Sequence, residues 1–100
     1  MTKEKVIEAE NGIKKRLEEE QIDFLEPKIM IHFIHGKINS ILFRKDGKDF
    51  GFFIISFTSN GYRCEGKESN IHHQINNSKL LQDLISTIVE ETLDSVLLEK

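Results

Sequence analysis

The hydrophobic positions of this chain change period twice. Over residues 2–26 the apolar side chains Val6, Ile13, Leu17 and Phe24 recur along one narrow stripe at helical spacing, with Glu10 and Lys14 four apart on the exposed side. This predicts an amino-terminal helix. Asn11-Gly12 is a turn signal in its middle, so the stripe fits one helix with a weak spot or two short helices with a bend. Pro27 closes the segment, because the residue before a proline is pushed out of helical geometry. From Lys28 the period drops to two, Ile29, Ile31 and Phe33 alternating with Met30, His32 and Ile34. His35-Gly36, Asp46-Gly47 and Asn60-Gly61 separate the β-rich runs that follow, each joining a residue that tolerates positive φ to a glycine that favours it. Residues 28–65 therefore read as a four-stranded antiparallel meander. A polar connector over 66–77 leads to a long amphipathic helix over 78–99, with Ser78 at its N-cap. Its broad apolar side is formed by Leu80, Leu81, Leu84, Ile85, Ile88, Val89, Leu93, Val96 and Leu97, with Asp83, Glu90, Glu91 and Asp94 elsewhere on the wheel. The expected fold class is α+β, in the order α-β-β-β-β-α, as a single domain over residues 1–100.

Turn chemistry fixes a register. Three-residue loops at the first two hairpins, with Gly36 and Gly47 left-handed, pair Phe33 with Lys37 and Arg44 with Lys48. A two-residue turn at Asn60-Gly61 pairs Phe57 with Cys64 and puts Tyr62 and Cys64 on one side. One face then carries Ile29, Ile31, Phe33, Ile41, Phe43, Phe53, Ile55 and Phe57; the other carries Met30, His32, Ile34, Ile38, Leu42, Phe50, Phe52 and Ile54. An antiparallel sheet with one wet face alternates apolar with polar, and the centre of this one does not, so cover is expected on both faces. A helix of about 20 residues is about 30 Å long and a six-residue strand about 20 Å. The end of the last helix is thus expected to overhang the sheet, which makes Leu93, Val96 and Leu97 a candidate interface.

Composition narrows the function. With 38% apolar and 31% charged residues in 100 positions, the chain suits one globular core. A net charge of −3 gives no general attraction to phosphate backbones or anionic membranes and weighs against nucleic acid as a partner. The single cysteine, Cys64, cannot form a disulfide within the chain, and charges in Met1 to Glu10 stand where a secretory signal carries its apolar core. The longest apolar stretch, Phe52 to Phe57, is far below the roughly 20 residues of a membrane-spanning helix. The expected setting is the cytoplasm. Abundant Ile and Lys with scarce Arg fit an AT-rich genome, such as that of a low-GC bacterium or a mobile element.

Reactive groups are few. His32, His35, His72 and His73 are spaced so that neighbours diverge on strand geometry, whereas a metal needs three or four donors converging at about 2 Å, so no metal or cofactor is expected. Cys64 as a nucleophile needs a base and an electropositive setting, and a small packed cysteine accounts for it as well. The second hairpin offers a basic cluster, Arg44, Lys45 and Lys48 with Arg63, beside Phe50 and Phe52, the pattern of a surface that stacks bases and holds phosphates; Asp46 and Asp49 interrupt it. The order helix, strands, helix superficially resembles that of double-stranded-RNA-binding domains, but Ser78-Lys79-Leu80-Leu81-Gln82-Asp83 lacks the lysine cluster that those domains place against phosphate, and order alone does not make a family.

Surplus apolar surface decides among these. The sequence favours a non-enzymatic protein-interaction module of the adaptor or inhibitor type, pairing with itself as a homodimer or with another protein through a sheet face or the last helix. The alternatives are a nucleic-acid binder using Arg44, Lys45, Lys48 and Arg63, and a small-ligand sensor with a pocket near His32, Tyr62 and Cys64.

Overall fold

The computed structural model describes residues 3–32, 37–69 and 78–97. Helix α1 (Lys3–Glu19) is followed by strands β1 (Glu26–His32), β2 (Lys37–Lys45), β3 (Lys48–Thr58) and β4 (Gly61–Ser69), then helix α2 (Ser78–Leu97). The four strands form one antiparallel sheet in the order β1-β2-β3-β4. The fold is α+β, as the sequence pattern predicts. His35, Gly36, His72 and His73 fall outside the described residues, as do residues 98 and 99 of the last expected helix.

Helix α1 runs unbroken through Asn11-Gly12 and buries Ala9, Ile13 and Leu17, four residues apart on one face. It ends at Glu19 rather than near residue 26, because the chain turns left-handed at Gln21, φ 62°. Gln21 N–H donates to Glu18 O at 3.0 Å and Ile22 N–H to Leu17 O at 2.7 Å, the paired bonds of a Schellman cap. Ile22, 5% exposed, then packs into the same core as Leu17, the apolar contact that accompanies this cap. Phe24, expected on the helical stripe, lies beyond the helix with its ring edge-on to Phe50 at 6.2 Å.

The register matches expectation in the body of the first hairpin, where Ile29 pairs with Ile41 and Lys28 with Leu42. Elsewhere bulges intervene. Asp46 (φ 53°) and Gly47 (φ 77°) form a two-residue turn that pairs Lys45 with Lys48, and the register then slips so that Phe43 pairs with Gly51 and Phe50 is the extra residue. A two-residue turn plus one bulged residue restores the parity of a three-residue loop, so odd positions still share a face, but Ile41 meets Phe53. Phe50 is thereby turned from the second face into the core, at 2% exposed. Asn39 is bulged in β2, so that Met30 pairs with Ser40 and Ile31 with Ile38. The last turn is Ser59-Asn60, not Asn60-Gly61: Thr58 pairs with Gly61 and Ile55 with Cys64, a shift that keeps Tyr62 and Cys64 on the expected side.

Both helices lie on one face of the sheet. Helix α1 packs on α2 and β1, and α2 packs on β4. The core between them and the sheet takes Ile29, Ile41, Phe43, Phe53, Ile55 and Tyr62 from the strands and Ile85, Ile88, Val89 and Leu93 from α2. Among the described residues the helices do not cover both faces, the sequence expectation, but share one. The breadth of the α2 apolar side explains why: its two adjacent buried columns serve two neighbours, the sheet and α1. Helix and sheet are also matched in length, since the 20 residues of α2 and the 9 of β4 each span about 30 Å. The expected overhang is absent: Leu93 is fully buried, and Val96 and Leu97 are half-buried against the core.

Candidate interaction surface

The face turned away from the helices is built from alternate strand positions. Two rows cross it: Lys28, Leu42, Phe52 and Glu68 are successive register partners from β1 to β4, and so are Met30, Ser40, Ile54 and Glu65. Met30, on the edge strand β1, is 42% exposed and Ile54, on the inner strand β3, is 44% exposed, large apolar side chains on a face that neither helix covers. Leu42 between them is half-buried and Lys28 is exposed.

The edges of the sheet are treated differently. An edge strand presents unpaired N–H groups to any strand that would add to it. On β1 the Ile29 N–H donates to Glu10 Oε2 of α1 at 2.7 Å, and two residues earlier Pro27 has no N–H to offer. On β4 the Tyr62 N–H donates to Asp94 Oδ1 at 2.7 Å and the Cys64 N–H to Glu90 Oε2 at 3.0 Å. The β4 pair has a geometric basis: residues four apart on a helix rise about 6 Å, and residues two apart on a strand about 6.6 Å, so Glu90 and Asp94 step in time with Cys64 and Tyr62. Gly61 makes room for this. Its φ is +123°, and a Cβ there would stand 2.5 Å from Asp94 Oδ1. None of these carboxylates stands out in the sequence, where each reads as an exposed helix charge.

The other candidate residues are dispersed. Arg44 donates to Gly47 O at 2.6 Å and lies 3.5 Å from Asp49 Oδ1, while the Lys45 ammonium sits 5.2 Å from the Phe24 ring centroid and 6.0 Å from that of Phe50. A groove of about 260 Å³ at this hairpin is lined by Lys45, Asp46, Lys48, Asp49 and Phe50, so acids face it as well as bases. Arg63 does not join the cluster. It pairs with Ser56, eight residues along β3 from Lys48 and so about 26 Å away, and its guanidinium is held by Asp94 Oδ2 at 3.3 Å, Tyr62 O at 2.6 Å and Asn60 O at 3.1 Å.

Residues proposed for a ligand pocket are also apart. His32 lies on β1 and Tyr62 and Cys64 on β4, three strand spacings or about 14 Å across the sheet. Tyr62 is buried with its ring edge-on to Phe57 at 5.0 Å; burial first, and the Asp94 charge second, push its phenol above the ordinary 10.0. Cys64 is not in a disulfide, and its thiol approaches Ser86 O at 3.8 Å. A groove of about 450 Å³ between the helices, lined by Gly12, Lys15, Arg16, Glu19, Glu91, Thr92, Ser95 and Val96, is bridged by Arg16 donating to Glu91 Oε1 at 2.6 Å. Among the described residues no three His, Cys, Asp or Glu side chains converge as metal ligands, and no helix is long and apolar enough to cross a membrane. Compared with protein-family models, with curated proteins and with solved structures, the chain matches none.

Proposed function

We propose that this protein is a small non-enzymatic interaction module that pairs with a second copy of itself through the open face of its sheet. The observation that carries the reading is the exposure of Met30 on β1 and Ile54 on β3, on a face whose opposite side takes both helices. Burying such side chains contributes about 25 cal/mol per Å² of apolar surface removed from water. The capped N–H groups of Ile29, Tyr62 and Cys64 favour a face-to-face partner over a strand added at those positions. This moves the binding surface from the last helix, where Leu93 is core, to the sheet. A cytosolic setting belongs to the same reading, as does the adaptor or inhibitor role that such a surface serves.

The area sets the expected strength. Four strands about 4.8 Å apart and about 30 Å long present roughly 580 Å², short of the ~800 Å² per partner in a standard interface. A weak, concentration-dependent dimer is therefore expected. Sedimentation equilibrium from micromolar to several hundred micromolar should show the mass rising from one chain toward two. Met30→Glu with Ile54→Glu should hold it at one chain with unchanged far-UV dichroism, since both sites are exposed in the monomer. A wild-type mass of one chain throughout, or undiminished association of the double variant, overturns the reading.

A further inference from the structure

The three carboxylates that cap edge amides share one construction. Each directly follows a fully buried residue of its helix: Ala9 before Glu10, Val89 before Glu90 and Leu93 before Asp94. Core packing thus holds the backbone from which each carboxylate reaches to the strand edge. A strand edge with free N–H groups is a template for another strand, and the two edges differ as templates once uncapped. β1 carries Pro27, which has no N–H, so it stays a poor template even without Glu10. β4 contains no proline. Its capped residues, Tyr62 and Cys64, are two apart, so both N–H groups leave the same side of the strand, as strand pairing requires.

We propose that the β4 edge is a second self-association site, held shut by Glu90 and Asp94, whose occupant on opening is the β4 edge of another copy. Two like edges related by a two-fold axis meet antiparallel, the pairing that every neighbouring pair of strands in this sheet already uses. Gly61 belongs to the lock. A Cβ there would stand 2.5 Å from Asp94 Oδ1, so its absence lets the carboxylate reach Tyr62 N–H. Arg63 donates to Asp94 Oδ2 at 3.3 Å and steadies the same carboxylate. The role of Glu90 and Asp94 in directing a second copy to the open face rests on the open-face reading, whereas the latent edge stands without it.

Removing the acceptors tests the lock. Glu90→Ala with Asp94→Ala, in sedimentation equilibrium beside wild type, should associate about tenfold more tightly and reach a higher mass at the same concentration. Amide hydrogen exchange places the contact: at Tyr62 and Cys64 it should be faster than wild type in the dilute variant and slow again in the assembled one. Glu90→Gln with Asp94→Asn keeps a side-chain carbonyl at each site and should associate as wild type does. Phe53→Ala loosens the core away from the edge and should gain no mass, which separates partial unfolding from an open edge. An alanine variant no heavier than wild type, equal assembly of the amide variant, or an equal gain in Phe53→Ala overturns the β4 site. Wild-type protein that stays at one chain throughout, beside an alanine variant that rises to two, removes the open-face reading and leaves the β4 edge standing.

Discussion

Phe53 and Ile54 are neighbours on β3 and occupy two different environments. Phe53 is fully buried under the helices, its ring edge-on to Phe43 at 5.7 Å, while Ile54 is 44% exposed on the other side. Both are apolar, and nothing in their local sequence separates them. The difference comes from α1 and α2 packing side by side on one face instead of one on each, so one face is covered by the chain's own helices and the other keeps Met30 and Ile54 exposed. The sharpest way to test this contrast is to truncate each in turn. Phe53→Ala should cost about 3–5 kcal/mol in urea unfolding, the range for a fully buried phenylalanine. Ile54→Ala should cost less than about 1 kcal/mol at concentrations where the chain is monomeric. Equal losses would mean that the two faces are equally covered in solution.

The capped edge positions, Ile29, Tyr62 and Cys64, form a third environment, closed by charge rather than by apolar cover. Asp94 Oδ1 accepts from Tyr62 N–H, and Gly61 stands so close that any Cβ would collide with the carboxylate. Asp94→Ala should cost about 1–2 kcal/mol, the low end for a charged hydrogen bond because the side chain is one-third exposed. Gly61→Ala should cost about 2 kcal/mol, from strain at φ +123° and from the displaced carboxylate together. The two losses should be less than additive in the double variant, since removing the carboxylate relieves the collision. Strict additivity would show that the glycine is required for its backbone angle alone.

How much of this was legible follows from which interactions leave a periodic trace. Alternation assigned Ile29, Ile41, Phe43, Phe53 and Ile55 to the side that is buried, because a pattern of period two reports parity. It survived a wrong turn length at Asp46-Gly47 because the bulge at Phe50 restores the parity that the tighter turn removes. The bulges themselves leave no such trace, and Phe50 is assigned to the wrong side for that reason. The left-handed cap at Gln21 is also silent, since the residue there is not a glycine or an asparagine. Cover was misjudged because alternation says which positions are apolar and not how helices are shared between faces. The breadth of α2 held that information, as two buried columns with two neighbours. The carboxylates of Glu10, Glu90 and Asp94 were hidden for a different reason: a helical wheel shows charge facing outward, and only the third dimension places the edge of a strand beside it.

Gly12 shows the same tension at the helix pair. Local rules read Asn11-Gly12 as a break, and α1 passes through it unbroken. A Cβ at Gly12 would lie 2.9 Å from Thr92 Cγ2 of α2, and Thr92 is 7% exposed, so the glycine is there to let the helices approach. Gly12→Ala sets two effects of similar size against each other. The exposed-helix gain from replacing glycine is about 1 kcal/mol, and overpacking a tight contact costs about 1–3 kcal/mol. Because the colliding atom belongs to a buried β-branched side chain with little freedom to move, the clash should win, with a net loss of about 1 kcal/mol. Thr92→Ser deletes the methyl that collides. In that background Gly12→Ala should become neutral or stabilising by up to about 1 kcal/mol. If the alanine is stabilising with Thr92 intact, the helices are not in contact at this point, and the account of why both of them share one face of the sheet loses its tightest link.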